Sequence, residues 1–145
     1  ECARSKRSLL AIRHLEVTMT GSKIRPDAFL KACPSREVMA RLGEKWTMLM
    51  IVALEDGPLR FSALKRKLEG ISHKMLTQTA RNLERDGLVI RRLIDERPLH
   101  VEYELTESES DLLPIVRKLK NWAESHLHGM AAHARSYDQK HTPGS

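Results

Sequence analysis

Aromatic side chains are scarce, at 4% of 145 residues, so any core must be aliphatic, built from Leu, Ile, Val and Met. Cysteine is scarcer still. Cys2 and Cys33 are the only two; they cannot make a disulfide scaffold, and they fit a reducing compartment. Long apolar runs are missing as well. The longest, Met48 to Leu54, falls far below the about 20 residues a membrane-crossing helix needs. Arg4, Lys6 and Arg7 precede Leu9 to Ile12 in the manner of an export signal, but Arg13 and His14 end that stretch too early. A cytoplasmic protein with no membrane partner is expected. The chain also lacks a Gly-rich phosphate loop, a metal-ligand motif and a Ser/His/Asp ordering in a suitable context. His126 and His128 fall on different helix faces, and with His133 they lack a nearby Cys or paired carboxylate. No enzyme, cofactor or metal is expected.

What is present is charge, and it is concentrated. Between Arg60 and Leu93 stand nine Lys or Arg and three acids, an excess equal to the +6 net charge of the whole chain. The rest nearly cancels. With 41% hydrophobic residues this is one domain of ordinary globular composition. Residues 1–32 are expected to be an N-terminal extension, with Met19 as a candidate native start and part of what precedes it foreign to the protein. Residues 33–134 form the domain, and 135–145 a polar tail that frays from Tyr137.

Pro34 and Ser35 open a first helix with Val38, Met39 and Leu42 as its apolar face and Gly43 as its stop. A second, about Lys45 to Glu55, is apolar on most sides and so buried on most sides. Asp56-Gly57-Pro58 ends it, and Leu59 to Phe61 leaves room for a short strand. Then come a short basic helix (Ser62 to Leu68, with Lys65, Arg66 and Lys67), a turn at Gly70, and a helix from Ser72 to Asp86. Ser72 can cap the latter, and Leu76, Ala80 and Leu83 make a core stripe. Two strand candidates follow, Leu88 to Leu93 and Val101 to Leu105, with Ile94 to His100 as the tip of a hairpin. Thr106 and Glu109 form a capping box for a last helix. Its stripe of Leu112, Leu113, Val116, Leu119, Trp122, Ala123 and Leu127 is wide and long for so small a domain. Part of it is expected to meet a second copy, with Leu112, Val116, Leu119 and Trp122 at the interface.

Two short helices and a hairpin, carrying this charge, predict a mainly α fold with a small β-hairpin: a winged helix-turn-helix with extra terminal dimerisation helices. Arg60, Lys65, Ser72, His73, Lys74, Thr77, Gln78, Arg81 and Arg97 are the candidate DNA contacts. Arg and Lys suit guanine or phosphate, Gln adenine, and Thr a thymine methyl. The bland alternative is a solvated helix face, and for Arg97 a polar hairpin tip that two acids, Asp95 and Glu96, hold away from DNA.

Six segments, in this order and spacing, resemble one family. They are Cys33-Pro34, Gly43-Glu44-Lys45-Trp46, Asp56-Gly57-Pro58-Leu59-Arg60-Phe61, Gly70-Ile71-Ser72-His73-Lys74-Met75-Leu76-Thr77, Leu83-Glu84-Arg85-Asp86-Gly87-Leu88-Val89 and Val101-Glu102-Tyr103-Glu104-Leu105-Thr106. Together they resemble the HxlR-type winged helix-turn-helix transcriptional regulators of bacteria and archaea, from Cys33 to about Leu127. The chain departs from the family pattern at Glu109, near where relatives often carry Gly. The resemblance implies a homodimer on a pseudo-palindromic double-stranded DNA operator, with the helix after Ile71 in the major groove. It also implies a redox- or electrophile-sensing role for a cysteine at the place of Cys33, and so an oxidant or small-molecule inducer. A helix N-terminus favours the reactive thiolate; otherwise Cys33 is a small, half-buried hydrophobe. From another class, the rival reading is a winged-helix module that docks on protein and does not read DNA.

Overall fold

The computed structural model describes residues 26–107 and 110–142; Cys2, Met19 and Glu109 lie outside them. Five helices and a small sheet follow in the order α1 (Ser35–Leu42), α2 (Lys45–Ala53), β1 (Leu59–Arg60), α3 (Phe61–Lys67), α4 (His73–Arg85), β2 (Val89–Ile94), β3 (His100–Leu105) and α5 (Leu112–His141). The sheet is antiparallel with order β1-β3-β2. Leu59 and Arg91 flank Tyr103 from either side, so the expected hairpin gains a third, two-residue strand.

The core forms where apolar stripes converge. α2 is apolar all round and sits at the centre, with Thr47, Met50, Ile51 and Ala53 buried. Leu64 of α3, Leu76, Ala80 and Leu83 of α4, Val89 and Tyr103 of the sheet and Val116 of α5 close around it. Only one of these is aromatic, as the composition required. Glycines set two of the corners. Gly70, at φ +90°, turns α3 into α4, and Gly87, at φ +79°, turns α4 into β2. Both are left-handed conformations that a Cβ would strain.

Two links tie the terminal helices to this centre. Arg41 of α1 donates to Asp86, the C-cap of α4, at 2.7 Å. A carboxylate at a helix C-terminus opposes the helix dipole, and the guanidinium offsets it. Arg117 of α5 pairs with Glu55 just past α2.

Two expectations meet a different outcome, and one falls outside the described residues. α1 ends at Gly43 as read and packs Leu42, half-buried, against the core, but Val38 and Met39 face outward. The capping box that was to start the last helix involves Glu109, outside the described residues. The Thr106 hydroxyl donates to the Gly87 carbonyl at 2.8 Å, and α5 begins at Leu112 with Pro114 tolerated in its first turn. At the other end α5 runs on to His141, through residues 135–141 of the expected tail, because Tyr137 and His141 stack and Thr142 closes on the Asp138 carbonyl. Among the described residues no helix is long and apolar enough to cross a membrane.

Leu64 is fully buried where α3 meets the core. Leu64→Ala should cost about 2–5 kcal/mol, read as a lower urea midpoint at unchanged slope. A loss below about 1 kcal/mol would mean that the site collapses around the deletion or was never tightly filled.

Candidate nucleic-acid interface

The geometry of the basic region follows from one helix with two faces. α4 buries Leu76, Thr79, Ala80 and Leu83. Its opposite face carries Lys74, Gln78, Arg81 and Arg85 at spacings of four, three and four, all exposed. That is a row of cations with one amide, aimed away from the core. Ser72 caps the helix by accepting from the Met75 N–H at 3.0 Å. Its hydroxyl is therefore first a structural acceptor. The capped N-terminus keeps His73 and Lys74 at the leading edge, with the His73 ring tilted on Phe61 at 4.8 Å.

Side chains on this face are partly preset. The Gln78 amide donates to Asn82 Oδ1 at 3.0 Å, which orients the Gln78 head along the helix. Thr77 is half-buried, and its hydroxyl donates to the His73 carbonyl at 2.9 Å, so its methyl is the part that faces out unbonded. Arg60 is exposed at the end of β1, where it is also the N-cap residue of α3. The α3 cations are only partly available. Lys65 Nζ donates to the Ile71 carbonyl at 3.2 Å and Lys67 Nζ to the Ala53 carbonyl at 3.0 Å, so both also fasten helix ends. Arg97 lies exposed in the hairpin tip beside Pro98, well separated in sequence from α4. Behind the tip, Arg92 pairs with Glu104 at 3.0 Å, and His100 bridges the Pro98 carbonyl and Glu102.

Sequence reading passed over Arg85 and Asn82. Both were legible: Arg85 stands four residues after Arg81 on the same face, and Asn82 four after Gln78.

Cys33 stands two residues ahead of α1, whose N-cap is Pro34. It is half-buried, and its Sγ lies 3.0 Å from Ser35 Oγ. Hydrogen bonding from the Ser35 hydroxyl, then from the Ser35 backbone, holds the Cys33 thiol below its ordinary range.

A recognition helix with an outward basic face, a shorter helix packed before it and a two-stranded wing after it define a winged helix-turn-helix of the DNA-binding type. The HxlR-like helix-turn-helix family model matches residues 41–130. The chain belongs to that family of transcriptional regulators. It is 42% identical over 99 residues to the uncharacterized HTH-type transcriptional regulator YtfH of Escherichia coli, covering 68% of this chain and 79% of that one. Its fold is similar to that of a transcriptional regulator, ytfH, from Salmonella typhimurium, with a TM-score of 0.71 and 40% identity over 77% of this chain and 99% of that one. It is also similar to the redox regulator HypR in its oxidized form, with a TM-score of 0.59 and 39% identity over 64% of this chain and 96% of that one.

The Ser35 contact makes a testable statement about the thiol. In a Cys2→Ser background, Ser35→Ala should raise the pH at which Cys33 becomes reactive and slow its alkylation at neutral pH several-fold, since less thiolate is present. The check is the pH profile of the iodoacetamide rate. An unchanged profile would assign the lowering to the backbone alone.

Proposed function

We propose that this chain is a sequence-specific regulator that binds a pseudo-palindromic operator as a homodimer, with α4 in the major groove and Cys33 as its redox- or electrophile-responsive group. The observation that carries the DNA reading is the outward row of Lys74, Gln78, Arg81 and Arg85 on a helix anchored through its other face. The first two and a half turns of α4 approach bases, with His73, Lys74, Thr77, Gln78 and Arg81. Arg60, Lys65, Arg85 and the wing's Arg97 take phosphates, which position the protein without reading sequence. Ser72 contributes through the helix N-terminus that it caps.

The homodimer rests on uncovered apolar surface. Leu30, Val38 and Met39 around α1 and Ile115, Leu119 and Trp122 on α5 are exposed. Of the interface residues expected from sequence, Val116 is buried in its own domain and Leu112 packs against the same core. Leu119 and Trp122 are left to meet a partner.

Cys33 is supported by its lowered thiol and by the redox regulator among the similar structures. At the mouth of α1 its thiolate would add to a quinone, whose ring oxygen takes up a proton, or attack a disulfide sulfur and expel the other sulfur as thiolate. That would displace the exposed α1 face on which the dimer depends.

The DNA reading is tested with an operator recovered by selection from random duplexes. Wild-type affinity should fall steeply with salt as counterions are released. Gln78→Ala should lose about 1–3 kcal/mol at one base step and little on duplexes altered there, whereas Arg85→Ala should weaken all duplexes alike. A flat salt response would favour docking on protein. Identical losses for the two variants would place the wrong face of α4 against the bases.

The Cys33 reading is tested by treating wild type and Cys33→Ser with diamide or a quinone before measuring operator binding. Wild type should change its affinity and Cys33→Ser should not. An equal response in both would make Cys33 structural.

A further inference from the structure

His100 opens β3 and shares the outer face of the wing with Glu102 and Glu104, since alternate residues of a strand lie on one side. The opposite face carries Tyr103 into the core. Although it stands on the outer face, the His100 side chain is only 11% exposed. Its Nδ1 lies 2.9 Å from the Pro98 carbonyl oxygen in the hairpin tip, and its Nε2 lies 3.0 Å from Glu102 Oε1. A backbone carbonyl only accepts hydrogen bonds, and so does an ionised carboxylate. Both contacts are therefore hydrogen bonds at once only when both ring nitrogens carry a proton. The geometry is that of an imidazolium.

Loss of one proton breaks this bridge at a definite end. A hydrogen bond to an ionised acceptor is about twice as strong as one between neutral groups, so the remaining proton stays on Nε2, towards Glu102. Nδ1 then turns a lone pair to the Pro98 carbonyl, acceptor against acceptor, and that contact is given up. Pro98 adjoins Arg97, so the part released is the tip read above as a phosphate contact. The neighbouring charges act in the same direction. Glu102 stands in a cross-strand row between Arg60 of β1 and Arg92 of β2. Arg92 is held by Glu104. Once His100 is uncharged, Glu102 offers its carboxylate to Arg60 and competes there with DNA phosphates. Opposite His100 itself β2 places only Ile94, and the tip brings Asp95, Glu96 and Arg97, all exposed. α3 also packs on β3; its Lys65 and Lys67 are engaged at the Ile71 and Ala53 carbonyls, and its Arg66 is exposed. Among the described residues the one ion pair of His100 is with Glu102.

We propose that His100 is the positioning residue of the wing: as an imidazolium it holds the tip and occupies Glu102, and as the pH rises and it becomes neutral the tip is released and the grip on DNA weakens. Histidine is the side chain that ordinarily changes charge between about pH 5 and 8. The sign follows from linkage, because the protonated form is the one that binds DNA more tightly and its advantage is lost as pH rises. This inference rests on the DNA reading proposed above and adds a proton-dependent wing to it.

The experiment has one arm without DNA and one with it. In the first, the nitrogen-labelled full chain is followed by NMR from about pH 5.5 to 8.5. Both His100 ring nitrogens should show the protonated signature at the low end, and the amide signals of Glu96, Arg97 and Leu99 should move with the same midpoint. In Glu102→Gln the tip signals should hold still, because an amide can donate to Nε2 while the Nδ1 proton keeps the Pro98 carbonyl. In the second arm, affinity for the selected operator duplex is measured over the same range at fixed salt. Wild type should lose about three- to tenfold as pH rises, the worth of about one hydrogen bond. His100→Phe, a ring without donors, should bind weakly throughout, and Glu102→Gln tightly throughout. His73 is common to all three proteins, so its own titration drops out of the comparison. Tip signals that stay in place while His100 titrates overturn the inference in the free protein. Tip signals that move, with wild type and His100→Phe sharing one pH profile of affinity, overturn its link to DNA. A wild type without salt-dependent duplex binding at any pH overturns the DNA reading itself, whatever the tip does.

Discussion

The packing of one face of α4 on α2 is the constraint from which the rest follows. Leu76, Ala80 and Leu83 are buried to within about a hundredth of their surface against a helix that is itself apolar all round. Burying three such side chains contributes several kcal/mol, far more than any surface contact on the opposite side can oppose. The rotation of α4 about its axis is thereby fixed, and so is the direction in which Lys74, Gln78, Arg81 and Arg85 point. The direction of the outward basic face is set by residues that never touch it.

Periodicity made this arrangement legible. The α4 stripe, the all-round apolar α2, the strand pair and the Gly70 turn stand where the sequence put them, because each rests on local pattern reinforced by burial. The departures occur where long-range partners decide. The Thr106 hydroxyl reaches the Gly87 carbonyl, nineteen residues away. Lys65 and Lys67 read as free cations, yet they fasten carbonyls at Ile71 and Ala53, which no local pattern announces. Val116 and Leu119 sit on one stripe, and only the fold shows that the core claims the first and leaves the second out.

The same stripe leaves much of α5 uncovered in the single chain. A 30-residue helix with one buried residue gains little from its own domain. Its aliphatic and aromatic side chains are too numerous and too regularly spaced for a solvated face. α1 shows the same imbalance on a smaller scale, with Val38 and Met39 outward. Both terminal helices present apolar surface that the central domain leaves uncovered.

How a change at either terminal helix would reach α4 is a question of magnitudes. Arg41–Asp86 and Arg117–Glu55 are the visible bridges, but each is substantially exposed, and ion pairs in such settings contribute about 0–1 kcal/mol. Arg117 Nε is moreover buried without a hydrogen-bond partner, which subtracts from what its bridge can give. The apolar contacts are stronger. Leu112, Leu113 and Val116 share one cluster with Met50 and Leu54 of the α2 region, and α2 in turn seats α4. A close-packed cluster of this kind moves as a body rather than yielding contact by contact. A shift of α5 is therefore passed to the reading head as a rigid displacement through the core, with the ion pairs following. A shift of α1 passes through Leu42, half-buried against the same core, and through Arg41.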